Sequence, residues 1–349
     1  MLHQKSNLLS AFTFFNLAGG RFIKNEQIMY KRLLLALVIA ASCNTDDKPI
    51  DQVLNDVEYG AVVRTLQFNQ AEFYVNQPEG VFSVDIEIQD ELNGGLLERV
   101  DLYVRYVDNS GASASVVSGE FSAGSIPASE FERNGNDGMP NLTLELKFSD
   151  LANIVGIPVS QIQCKDQFLV RTDLILTDGR SFSTGSASSI IIAYETFFSS
   201  PYCYTINVVE PIDSDLYLGT YSYESVVDGP FGPTFIPEGL VEVYQGHSNN
   251  VRYIPLKHNR SHPTNELPRN YYFTIACDES VFGKNQLSSV IAYCALSGAP
   301  ILLGPDDENA PINPLDDSVF ELWLVEGYLG WDGQCDFGTV PSRLRFTKQ

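Results

Sequence analysis

Residues 142–148, LTLELKF, decide the fold. Leu142, Leu144, Leu146 and Phe148 fall on one side of an extended chain, and Thr143, Glu145 and Lys147 on the other. A period of two is the mark of a half-buried strand, the kind found in antiparallel sheets. Upstream, VDIEIQ at 84–89 and VDLYVRYV at 100–107 carry the same alternation. Downstream, DLILTDGRSFST at 173–184 places Asp178-Gly179 between two strand-like runs, a hairpin signal. Turn clusters stand at Asn109-Ser110-Gly111 and from Asn134 to Gly138. One short helix is predicted at 150–155, with Ser149 as N-cap and Gly156 as its stop, serving as a crossover outside the core. Roughly seven short strands over 57–209 predict an immunoglobulin-like antiparallel sandwich. The cysteine–tryptophan pairing of antibody domains is missing, because the two tryptophans, Trp323 and Trp331, lie near the C-terminus.

VEPIDSD at 209–215 reads as a break, and residues 210–349 as a second antiparallel β domain, sandwich or small barrel. It opens with LYLGTYSYES at 216–225 and continues with strands near 240–244, 251–255, 271–277, 287–294 and 318–325. RLRFT at 343–347 closes it. The Leu-Gly-Thr-Tyr opening resembles the first strand of lipocalin-like barrels. The whole chain is expected to be all-β.

Charge narrows the partners. The chain carries 22 Lys and Arg against 44 Asp and Glu; residues 1–42 hold five of the basic residues and one acid, which leaves 17 against 43 after them. A strongly acidic body repels phosphate backbones and anionic headgroups, so no nucleic-acid partner is expected, and membrane attachment must be covalent or inserted. Catalytic signatures are missing too. His258 and His262 are four apart, but Pro263 makes the segment a loop and no Glu follows His258, so the zinc-protease pattern fails. There is no nucleophile elbow and no phosphate-cradling glycine loop. Asp306-Asp307-Glu308-Asn309 and Asp316-Asp317 offer oxygen ligands without EF-hand spacing, and read as solvated loops. No enzyme activity, metal or cofactor is expected; the alternative of a hydrolase built on an acidic pair cannot be placed on particular residues. Five cysteines follow Cys43, an odd number, and none forms Cys-x-x-Cys. Cys277 and Cys294 end consecutive strand-like runs and are the expected disulfide pair.

The segment ELWLVEGYLGWDGQCDFG at 321–338 holds Trp323, Tyr328 and Trp331, with Asp332 beside a turn. Aromatic faces stack on sugar rings while carboxylates and amides bond hydroxyls, so these four residues are the candidate ligand contacts. The competing reading is core packing. Glu321 shares a strand face with Trp323, and Asp332-Gly333 neighbours Trp331; both favour exposure.

The address lies at the N-terminus. MYKRLLLALVIAASC at 29–43 has a basic start (Lys31, Arg32), an apolar run from Leu33 to Ala41 too short to span a bilayer, and small residues before Cys43. It resembles the lipobox of bacterial lipoproteins, with Ala40 where the family usually has Leu. The resemblance implies cleavage between Ser42 and Cys43 and lipidation of Cys43. Residues 1–28 then read as an extension ahead of the true start, 29–42 as signal peptide and 43–56 as an acidic tether. Asp46-Asp47 after the cysteine resembles the surface-export signal of Bacteroidetes-type lipoproteins; a plain solvated tether is the other reading. Together with the β architecture, the chain resembles accessory lipoproteins of starch-utilisation-type (Sus-like) uptake loci. That resemblance implies a non-catalytic, outer-membrane-anchored protein, surface-exposed or alternatively periplasm-facing. It would bind glycan or another nutrient beside a TonB-dependent transporter and its substrate-capturing lipoprotein. A structural or assembly role in the envelope is the second reading.

Overall fold

Alternation along each strand sorts side chains between a buried and a solvated face, and the order of the strands follows from which faces can be covered. The computed structural model describes residues 60–111, 119–236, 239–259, 267–289, 293–294, 298–328, 335 and 337–349. These residues all belong to one compact unit. Ser42, Cys43, His262, Trp331 and Asp332 lie outside the described residues.

The first half is a two-sheet sandwich. One sheet runs β1 (Val62–Gln70), β3 (Val81–Gln89) and β6 (Asn141–Lys147). The other runs β2 (Phe73–Tyr74), β9 (Cys203–Val209), β7 (Gln167–Leu176), β4 (Leu97–Val107) and β5 (Phe121–Pro127), with β8 (Ser181–Phe182) paired to β7. All pairs are antiparallel except β2 with β9. This is the strand order of an immunoglobulin-like sandwich. The alternation seen in the sequence is what fills it: Phe82, Val84, Ile86 and Ile88 of β3 face Val100, Val104, Phe168 and Ile206 in one core. Asp178-Gly179 turns β7 into β8, with Gly179 at φ 89°, a conformation that costs glycine little.

The helix differs from expectation. α1 (Phe148–Val155) starts two residues earlier, after Lys147, and ends at Gly156 in the left-handed conformation, as the stop signal requires. It is a core element and not a bare crossover: Phe148, Leu151, Ala152 and Val155 are buried in the sandwich. Their spacing puts all four on one helical face, which the sandwich's open side accepts.

The second half is a curled antiparallel sheet. In sheet order it runs β15 (Gln286–Leu287), β16 (Leu302–Pro305), β18 (Val319–Glu326), β19 (Val340–Lys348), β10 (Gly219–Val227), β11 (Leu240–Gln245), β12 (Val251–Leu256), β13 (Arg269–Ala276), β14 (Glu279–Phe282) and β17 (Ala310–Pro311). Curling brings β14 round to β18, where Ser280 Oγ donates to the Glu321 carbonyl at 2.6 Å. Of the two predicted alternatives it is therefore the barrel-like one. Its interior is filled by rings: Phe320 stacks on Phe346 at 4.7 Å and on Phe273 at 5.5 Å. Polar groups plug both ends. At one, the fully buried Arg252 donates to the carbonyls of Leu216, Ser214 and Asn249. At the other, His258 meets Glu326 at 3.0 Å, both side chains about 1 % exposed. The expected strand over 287–294 reduces, among the described residues, to the two-residue β15 and an isolated bridge between Tyr293 and Pro300.

The expected Cys277–Cys294 disulfide is not formed. Cys277 pairs with Cys164 (Cα–Cα 6.2 Å) and Cys294 with Cys335 (Cα–Cα 4.6 Å). Strand-like runs consecutive in sequence are not neighbours here: β13 lies toward one end of the sheet and β15 at the other. Cys277 sits in the β13–β14 turn at φ 65°, facing the loop before β7 that carries Cys164. Cys203 is the free cysteine among the described residues.

Candidate binding cleft

The outer face of the curled sheet carries what its inner face cannot hold. In β11, Val241 and Val243 point inward and Tyr244 outward; in β12, Ile254 and Leu256 point inward and Tyr253 outward; in β13, Tyr271 and Phe273 point inward and Tyr272 outward. The strand register sets Tyr244 opposite Tyr253, and Tyr253 opposite Tyr272. Directly opposed residues bring their side chains into contact, and the rings lie 5.2 Å apart at 20° and 5.3 Å apart at 37°. The row continues through His247, 6.1 Å from Tyr272, to Phe68 of β1, stacked on His247 at 4.9 Å.

Tyr253, Tyr272, His247 and Phe68 of this row floor a hollow of about 440 Å³ between sandwich and curled sheet, rimmed by Arg64, Gln67, Glu195, Phe197 and Gln245, while Tyr244 stands outside it behind Tyr253. Tyr272 donates its hydroxyl to Glu195, and Tyr194 packs edge-on against the Tyr272 ring at 5.0 Å. Burial first, and the Glu195 carboxylate second, push both phenols far above their usual range, so both are neutral donors. Arg64 is held by the buried Glu87 at 2.6 Å and lies over the Phe197 ring at 4.9 Å. The rim segment carries left-handed backbone at Glu195 (φ 53°) and Ser199 (φ 39°) and is pinned by Thr196 Oγ1 donating to the Ala193 carbonyl at 2.9 Å.

A second hollow, of about 740 Å³, shares Phe68, Tyr194, Ser199, His247 and Tyr272 with the first and extends between the two halves as far as Trp323. Each volume falls in the range of small-molecule sites. Two buried ionisable groups line the second hollow, and one of them, His247, lines the first as well. Glu72, buried beneath Ser248 Oγ at 2.8 Å, has its carboxyl pushed up to about 7 by burial. His247 is pushed down to about 4 by burial, is neutral at pH 7, and its buried Nδ1 has no hydrogen-bond partner.

Of the residues singled out in the sequence, Trp323 and Tyr328 are described, and the fold separates them. Trp323 is outside the aromatic barrel interior, half-buried on the outer face of β18. Its Nε1 donates to Glu321 Oε2 at 2.8 Å, and the Arg343 guanidinium lies 3.9 Å from the ring. Glu321 does share its face, as alternation requires. Tyr328 instead folds onto Gly304: a Cβ there would stand 2.2 Å from the ring, so only glycine admits it. His258 belongs to the barrel plug with Glu326, and His262 lies outside the described residues. Asp316 accepts from the Ser318 amide and Asp317 from the Tyr217 amide, which assigns that acidic pair to holding a loop. Among the described residues no three metal-ligating side chains cluster. The tyrosine row went unseen in the sequence. Its signal is three strands that each carry an outward Tyr beside inward apolar residues, but only register reveals that the three are opposed.

No protein-family model matches the chain, and no curated protein matches it in sequence. Its function is therefore read from the cleft.

Proposed function

We propose that the protein is a non-catalytic binding module for saccharides, held at the outer membrane by lipid on Cys43 and facing the cell surface, and that the cleft over Tyr253 and Tyr272 is where the saccharide sits. The observation that carries this reading is the cross-strand tyrosine row. Its rings pack on one another, stacked at 5.2 Å and tilted at 5.3 Å, and give the cleft a continuous apolar flank for sugar C–H groups, while Gln67, Gln245 and Glu195 at the rim offer partners for hydroxyls. Hollows that mix aromatic and polar groups favour binding over assembly, which would need a broad apolar face. The leader ending at Cys43 supports the anchor, since acyl chains contribute about 0.8 kcal/mol per buried CH₂ and hold an acidic body that headgroups repel. A TonB-dependent transporter and its capturing lipoprotein are the partners this reading assigns.

The test is a glycan array on the detergent-solubilised full chain, followed by Tyr253→Ala. Loss of about 1.5 kcal/mol of stacking, roughly tenfold in affinity, with an unchanged unfolding midpoint is the expected outcome. An array with no retained glycan would sink the saccharide reading. In cells, Cys43→Ala should move the protein out of the membrane fraction; retention of the variant would sink the anchor.

A further inference from the structure

We infer that the two hollows are one groove that holds a linear, uncharged oligosaccharide lengthwise, with Trp323 as its far subsite; this rests on the saccharide reading above. The hollows share five lining residues, so they adjoin along one seam beside the tyrosine row. The wall formed by the curled sheet runs from Gln245 at the end of β11 across the outer faces of β12, β13 and β14 and ends on β18, beside the Ser280–Glu321 contact. At about 4.8 Å per strand step, that path is roughly 19 Å or more, several sugar rings and not one.

Both walls suit a sugar chain. The sandwich contributes the outward residues of β9 and β7, Thr205, Asn207 and Gln167, whose hydroxyl and amides need no charge on the ligand; Gln167 Nε2 donates to Asn207 Oδ1 at 2.9 Å. The far end is Trp323, held in advance. Its N–H is satisfied by Glu321, Glu321 is fixed by Arg345 at 2.8 Å, and Arg343 lies against the ring. A ring already fixed by its neighbours loses little freedom on binding. The charge lining the second hollow excludes acidic chains: Glu279, Asp306, Asp307 and Glu308 stand against Lys284, and Lys284 is engaged with Thr205 Oγ1 at 3.0 Å. Uronate or sulfated chains would meet repulsion there. The spacing of the walls is set by contacts across them: the Cys164–Cys277 disulfide, and Lys165 with Asp278 and Glu279 at 2.7 and 2.8 Å.

The experiment titrates the solubilised full chain with the disaccharides and hexasaccharides of neutral linear glucans, mannans and xylans, and with hexagalacturonate. In at least one neutral series the hexasaccharide should bind about tenfold tighter than the disaccharide, and Trp323→Ala should cut that ratio to about threefold or less. In a Trp331→Phe chain, Trp323 is the only tryptophan, and its emission should shift with the hexasaccharide and not with the disaccharide; this decides the matter if Trp323→Ala does not fold. Equal affinity at both lengths, or an unmoved Trp323 emission, overturns the groove while leaving the saccharide cleft intact. Tightest binding of hexagalacturonate overturns it as well. No binding at any length removes the cleft reading itself, and this inference with it.

Discussion

The two halves of the molecule solve the same burial problem with different chemistry. The sandwich closes a wide, flat gap between two sheets, and aliphatic side chains from β3, β4, β7 and β9 supply most of its core. The curled sheet must fill a tapering interior from one continuous wall, and does so with Tyr221, Tyr271, Phe273, Phe282, Phe320 and Phe346. A sandwich leaves its strand ends to solvent and loops; a curled sheet leaves two open ends, and this one seals them with buried polar groups. Stability should therefore rest on transfer free energy in the first half, and on satisfied polar partners in the second. The cleft lies where these two styles meet, because outward-facing rings on the curled sheet find polar strand faces of the sandwich opposite.

The sharpest way to break that comparison is Glu326→Ala. Removing the fully buried Glu326 side chain breaks its hydrogen bond with the His258 ring and leaves a cavity, together costing about 3–5 kcal/mol. Denaturant unfolding should show a loss of that size, and hydrogen exchange should rise in β12, β18 and β19 while β3, β4 and β7 keep their protection. Equal loss of protection in both halves would mean that they share one cooperative core and do not rest on separate terms.

Next in size is the link between the halves. Replacing Cys164 and Cys277 together by Ala opens a loop of sequence separation 113. Such a loss costs about 2–4 kcal/mol, and chemical denaturation of the double variant checks it. An unchanged midpoint would show that the packed interface needs no covalent tie.

The smallest effect depends on pH. The Glu72 carboxyl titrates near 7 in the folded protein, against an ordinary value of 4.5. The folded state thus keeps a proton that the unfolded chain releases. Stability from this group is fully present below pH 4.5, is lost as pH rises through 7, and stays lost above. Glu72→Gln removes the titration, so the variant should gain about 2–3 kcal/mol over the natural chain at pH 8 and nothing below pH 4.5. Unfolding midpoints across pH 4–8 measure it. A difference independent of pH would mean that the side chain is not buried as a carboxyl at the junction.

Much of the architecture was already legible in the chain. The alternation at 84–89, 100–107 and 142–148, the Asp178-Gly179 turn and the Gly156 stop are each written within a few consecutive residues, and each stands where expected. Such signals survive because they report which side of a local element meets water, and that is set by neighbours in sequence. The helix at 148–155 departs from the expected crossover because its apolar face has value only once the open side of the sandwich exists to receive it.

The cleft belongs to tertiary structure. Tyr244, Tyr253 and Tyr272 are ordinary strand residues until register sets them opposite one another. Glu72 and Ser248, like Cys164 and Cys277, meet only because one half of the chain packs on the other. Amino-acid order dictated the elements and their wet and dry faces, through side-chain period and turn chemistry. Which elements became neighbours, and so which side chains share a site, was decided by curvature and packing over long separations, where no local pattern reaches.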